Sequence, residues 1–148
     1  MATEFENLYK HIRRGRIDKV QEFLANGGDP NLRNGWTILM VAAHFGNTPI
    51  LTLLLDQGAS IDSEGRTEGL TALAMAASQG KRKCVSLLLE RGANPNVRPH
   101  GLPLSTYIQY CGGPYPNVEK LLTRFTSDAE AVPQISLPEF PSPPDSTD

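Results

Sequence analysis

Residues 34–62 read NGWTILMVAAHFGNTPILTLLLDQGASID, and residues 68–96 read EGLTALAMAASQGKRKCVSLLLERGANPN. Laid over one another with an offset of 34, the two stretches agree at the positions that control helices. Thr37 and Thr71 stand where a side-chain oxygen can cap a helix start. Leu39 with Ala42 and Ala43, and Leu73 with Ala76 and Ala77, supply an inward stripe whose small side chains let a neighbouring helix approach closely. Gly46 and Gly80 then end that helix, and Gly58 and Gly92 end a second one marked by Leu51, Leu54 and Leu55 or by Val85, Leu88 and Leu89. Within the first stretch, Thr48 followed by Pro49 reads as the cap and first-turn proline of the second helix.

Outside these two stretches the pattern continues in a worn form. Gly15 and Gly27 repeat the twelve-residue spacing, with Val20, Phe23 and Leu24 between them. The helix before Gly15, about residues 4–14, is more polar and has no Ala pair, with Leu8 and Ile12, and Tyr9 beside them, as its inward contacts. That suits a terminal unit with one face in water. Gly101 and Gly112 open a fourth unit in which Pro103 replaces the capping threonine and Tyr107 and Ile108 stand where small residues were. Its run CGGPYPNVEKLL carries one additional residue before Val118, Leu121 and Leu122. Units recurring every thirty-one to thirty-four positions predict an all-α solenoid of about four helix pairs joined by β-hairpin-like turns. The expected division is residues 1–125 for the stack, in units of about 1–33, 34–64, 65–97 and 98–125, and an acidic, proline-rich, disordered tail over 126–148.

These residues resemble the ankyrin repeat family. Its run of glycine, threonine, small and apolar residues and glycine appears as GWTILMVAAHFG and GLTALAMAASQG, and its closing run as LLLDQGASID and LLLERGANPN. The resemblance covers about residues 5–125. It departs from the family where Ile38 and Ala72 replace the usual proline, and where Met40 and Ala74 replace the usual histidine. The resemblance implies a groove lined by turns and first helices that binds other proteins. It also makes Asn31 and Asn96, in the turns after the second helices, candidate sites of hydroxylation, beside the structural role of satisfying turn backbone.

The remaining composition narrows the function. The chain has 148 residues, 39% apolar and 20% charged, and a formal net charge of −2. All fourteen Lys and Arg residues lie at or before Arg124, against eleven acids there, so the body is near +3. The acids Asp128, Glu130, Glu139, Asp145 and Asp148 leave the tail near −5. His11, His44 and His100 and the two cysteines show no metal-ligand spacing, and no nucleophile turn or phosphate-binding loop is present. The reading is a non-enzyme with no cofactor and no metal. No zinc spacing or RNA-binding aromatic motif accompanies the weak positive charge, so nucleic acid is not expected as a partner, nor is a membrane, since the longest apolar stretches are about five residues. A cytoplasmic or nuclear location and a monomeric state alone are expected, from reduced cysteines and no secretion signal.

The expected activity is protein recognition through the concave groove, as an adaptor or a binding inhibitor. The alternative is a structural subunit of a larger complex with the tail making regulatory contacts. Candidate protein-binding residues are Trp36, Leu70 and Leu102, an apolar row along one edge just before the helix starts. His44 and Phe45, Gln79 after Ser78, Tyr110, and Arg13 with Arg14 fall at the ends of the first helices and are expected to be at least partly exposed. Arg66 sits at the tip of the longest turn, SEGRTEG, which is expected to project beyond its neighbours. A partner with an acidic segment beside apolar anchors would match this set.

Overall fold

The computed structural model describes residues 3–126. Among these, eight α-helices form four antiparallel pairs: α1 (Glu4–Arg13) with α2 (Ile17–Ala25), α3 (Ile38–His44) with α4 (Thr48–Asp56), α5 (Ala72–Ser78) with α6 (Arg82–Glu90), and α7 (Leu104–Tyr110) with α8 (Pro116–Thr126). A minimal hairpin, β1 (Arg33–Asn34) and β2 (Trp36–Thr37), joins the first two pairs. First helices stack on first helices, α1 on α3 on α5 on α7, and second helices on second, α2 on α4 on α6 on α8. The expected tail lies outside the described residues.

Each helix start has a local cause. Thr3 caps α1 in a reciprocal box with Glu6, and Thr37 Oγ1 accepts from Met40 N at 3.1 Å. Thr71 does the same for Ala74 N at 3.3 Å. At α4 the cap lies one residue earlier than expected. Asn47 Oδ1 accepts from Ile50 N at 3.1 Å, leaving Thr48 inside the helix, where its carbonyl accepts from the Thr52 hydroxyl. Pro103 precedes α7 without any side-chain cap, as the worn fourth unit implies. Gly46, at φ 73°, follows the last residues of α3 in the left-handed conformation that turns the chain back into α4.

The stripes are buried as their spacing demands. All residues from Ile38 to Ala43 are buried in α3, and all of Ala72–Ser78 in α5, because these short helices are covered on both sides. Ser78 is therefore core, contrary to expectation, and returns its hydroxyl to Met75 O at 2.9 Å. The second helices are covered on one face: Ile50, Leu51 and Leu54 in α4, and Cys84, Val85, Leu88 and Leu89 in α6, are buried, while Leu55 is only half-covered.

Contacts at both ends keep the pairs in line. Asn47, Lys81 and Tyr115 approach the helix-ending glycines of the preceding units, Gly15, Gly46 and Gly80. At the opposite end Asn31 Oδ1 accepts from Ser60 N at 2.7 Å, and Asp62 Oδ1 from Asn94 N at 2.9 Å. Asn31 thus joins two units structurally, while Asn96 N donates to Asn94 Oδ1 within its own turn. Arg91 and Asp56 pair across the second helices at 2.8 Å.

Candidate functional site

The turn over residues 63–70 does not project. Gly65 N donates to Leu70 O, Arg66 N donates to Gly35 O at 3.0 Å, and the Arg33 guanidinium reaches Glu64 O at 3.0 Å. The extra length is consumed by folding back onto the hairpin of the preceding unit, which satisfies backbone groups that a protruding loop would leave to water. The Arg66 side chain consequently lies across Gly35, with Nε 3.1 Å from the place a Cβ would occupy. Arg66 itself remains exposed.

This fold-back builds a cavity of about 600 Å³ between α1, the hairpin and the 63–70 turn. Phe5, Tyr9, Trp36 and Leu70 contribute its apolar wall, and Asn34, Thr67 and Arg66 its polar rim. Of the expected site residues it gathers Trp36, Arg66 and Leu70. Leu70 is a wall rather than an exposed contact, at 7% exposure, because the turn bends its side chain into the core. The apolar row Trp36–Leu70–Leu102 is interrupted there; Trp36 and Leu102 are half-buried.

Four rings run through this part of the stack. Trp36 lies 5.3 Å from His44, His44 lies 4.9 Å from Phe45, and Phe45 lies 5.6 Å from Tyr9, the last two pairs edge to face. The Tyr9–Phe45 pair contributes about 0.5–1.5 kcal/mol beyond its buried area. His44 Nδ1 is buried with no hydrogen-bond partner. Burial first, and then the positive charge of Lys81, holds the His44 imidazole below its ordinary value. The folded protein therefore resists protonating His44, while the unfolded chain accepts the proton near pH 6.5. Stability should fall as pH drops below about 6.5, and His44→Phe should flatten that part of the profile in urea titrations at pH 7 and pH 5.5.

A second cavity, of about 480 Å³, lies where α1 turns into α2 beside the α3–α4 turn. Arg13, Arg14 and Phe45 line it with Ile12, Ile17 and Pro49. Arg13 and Arg14 are exposed, as expected from their place at the end of α1. Gln79 and Leu102 belong to neither cavity, nor does Tyr110, which is 40% exposed on the fourth unit. The sequence does not single out Phe5, Asn34 and Thr67, and it marks Tyr9 only as a core contact. The signal for the aromatics is a second i, i+4 pair on α1, Phe5–Tyr9, beside the core pair Leu8–Ile12. Among the described residues no three His, Cys, Asp or Glu side chains form a metal-type cluster, and no helix is long and apolar enough to cross a membrane.

Comparison with known proteins agrees with this architecture. A family model described as ankyrin repeats, in three copies, matches residues 8–99. The protein named "Ankyrin repeat, SAM and basic leucine zipper domain-containing protein 1" from Microcebus murinus is 42% identical over 66 residues, covering 42% of this chain and 14% of that protein. Its counterpart from Bos taurus is 40% identical over 70 residues, covering 45% of this chain and 15% of that protein. The counterpart from Homo sapiens is 39% identical over 61 residues, covering 40% of this chain and 13% of that protein. The chain thus matches about a seventh of each of these larger relatives.

Proposed function

The chain belongs to the ankyrin repeat family, and from that premise we propose that it binds another protein through the face carrying the Trp36 cavity, as an adaptor or a binding inhibitor. Ankyrin repeats are non-catalytic scaffolds that mediate protein–protein contacts. The observation that carries the finer reading is one cavity with the rings of Phe5, Tyr9 and Trp36 in its wall and the exposed Arg66 guanidinium at its rim. An apolar side chain entering that wall, next to a carboxylate facing Arg66, matches both chemistries at once. Tryptophan and arginine dominate binding energy when a partner desolvates them. Arg13 and Arg14, more distant, add orientation and association rate.

Selection of peptides from a random display library against the full chain tests this. Retained sequences should pair an aromatic or aliphatic residue with an acidic one. Trp36→Ala should weaken them at least tenfold, about 1.4 kcal/mol, while the thermal transition moves by less than roughly 10 °C. A larger thermal loss would make Trp36 a core residue and remove the binding assignment.

A further inference from the structure

The body's charge is divided between the two ends of its helices. First-helix C-termini and second-helix N-termini share one edge, kept in line by the contacts of Asn47, Lys81 and Tyr115 on Gly15, Gly46 and Gly80. Eight of the fourteen Lys and Arg residues fall at this helix-turn edge, in segments 10–19 and 81–83, where Asp18 is the one acid. Asp18 pairs with Arg16 at 3.2 Å and Glu22 with Lys19 at 3.4 Å, so Lys10, Arg13, Arg14, Lys81, Arg82 and Lys83 are the bases that face a partner. The opposite edge, over residues 26–36, 56–70 and 90–103, carries six acids against Arg33, Arg66, Arg91 and Arg98. The basic segments belong to the first and third units. Between them lies the 480 Å³ cavity with Phe45 and Pro49 in its wall, so the edge reads basic, apolar, basic.

Residues 127–148 carry the complementary chemistry. Asp128 and Glu130 come first, then Ile135, Leu137 and Phe140, and around and after these Glu139, Asp145 and Asp148, with no Lys or Arg. We propose that this segment docks on the helix-turn edge of its own body, its apolar residues at the Phe45 cavity and Glu139, Asp145 and Asp148 against the flanking Arg and Lys clusters. Reach is sufficient. The segment starts from the far end of α8, so it must first return along the eleven residues of that helix. That return is about 16 Å at the rise of an α-helix. Crossing three helix spacings adds about 30 Å. The fourteen residues from α8 to Phe140 span about 46–50 Å when extended, and all twenty-two about 70 Å. Tethering raises the effective concentration to the millimolar range, so even weak ionic contacts are populated. The Trp36 cavity plays no part in this contact, which shares only Arg13 and Arg14 with the function proposed above.

Amide NMR spectra of the full chain test it. The parent is compared at low salt with a variant in which all five acids are neutralised (D128N, E130Q, E139Q, D145N, D148N). Resonances of residues 13–16, 45–49 and 81–83 should shift, and those of 33–37 and 64–70 should not. The difference should vanish in about 1 M NaCl, where charges are screened beyond about 3 Å. It should persist in a Trp36→Ala background, and R13Q/R14Q/R82Q should shift the resonances of 127–148 in return. Unchanged spectra at the basic edge would overturn the proposal. So would shifts confined to the Trp36 cavity, or shifts lost on dilution, which would assign the edge to a second copy of the chain.

Discussion

Ala76→Glu is expected to abolish cooperative folding of the stack. Ala76 is 0% exposed in α5, a helix packed on α3, α6 and α7. A carboxylate there has no room between helices that approach because the residue is small. It also has no cation to meet within its own helix, since Ala72–Ser78 contains no charged residue and every member is buried. Burying an unpaired ion costs several kcal/mol even after relaxation, against a total stability of about 5–15 kcal/mol. A solenoid amplifies the damage, because each unit is held mainly by its neighbours, and losing the third unit uncouples the fourth from the second. Ala76→Ser, which adds one satisfiable hydroxyl, should cost no more than about 1–2 kcal/mol. Far-UV circular dichroism across a thermal ramp distinguishes them. A glutamate variant melting within about 5 °C of the parent would show that α5 is not the keystone its burial implies.

The same residue shows why so much of the fold was legible. An Ala pair recurring from one unit to the next, between a capping threonine and a helix-ending glycine, states helix, contact face and termination in local chemistry alone. What was not legible depended on contacts between units or on competition between neighbours. Thr48 reads as a cap because it precedes proline, yet Asn47 reaches Ile50 N first. Ser78 reads as exposed because it is polar and late in its helix, yet α7 of the fourth unit packs on α5 and Ser78 is buried. The 63–70 turn reads as long and free, and nothing in its own residues says that Gly35 O will accept from Arg66. The Trp36 cavity arises from that one fold-back. Trp36 and Arg66 can be named separately from sequence, but their meeting beside Phe5 and Tyr9 depends on where the turn lands.

That dependence on packed turns gives the second large expectation. Gly69→Ala should destabilise the chain by about 3–4 kcal/mol, the sum of a backbone cost and an overpacking cost. Gly69 sits at φ 77°. Forcing a side chain into that conformation costs about 1–2 kcal/mol, and overpacking supplies the remainder. A Cβ at Gly69 would meet Arg98 O, Arg98 C at 2.6 Å and Pro99 N at 2.9 Å, all backbone atoms that no rotamer change can move. Gly27→Ala supplies the contrast. Gly27 has a similar φ of 86°, but nothing lies within 4 Å of its would-be Cβ. Its cost should stay near the backbone component alone, about 1–2 kcal/mol. Urea titrations of the two variants under identical conditions measure the difference. Equal midpoints would mean that the row of turns opens freely and that residue 69 is not locked against its neighbour. Gly69 also directly precedes Leu70 and closes the turn that carries Arg66 and Thr67. The strain that lowers stability in Gly69→Ala should therefore also displace the wall and rim of the cavity, weakening peptide binding without touching Trp36.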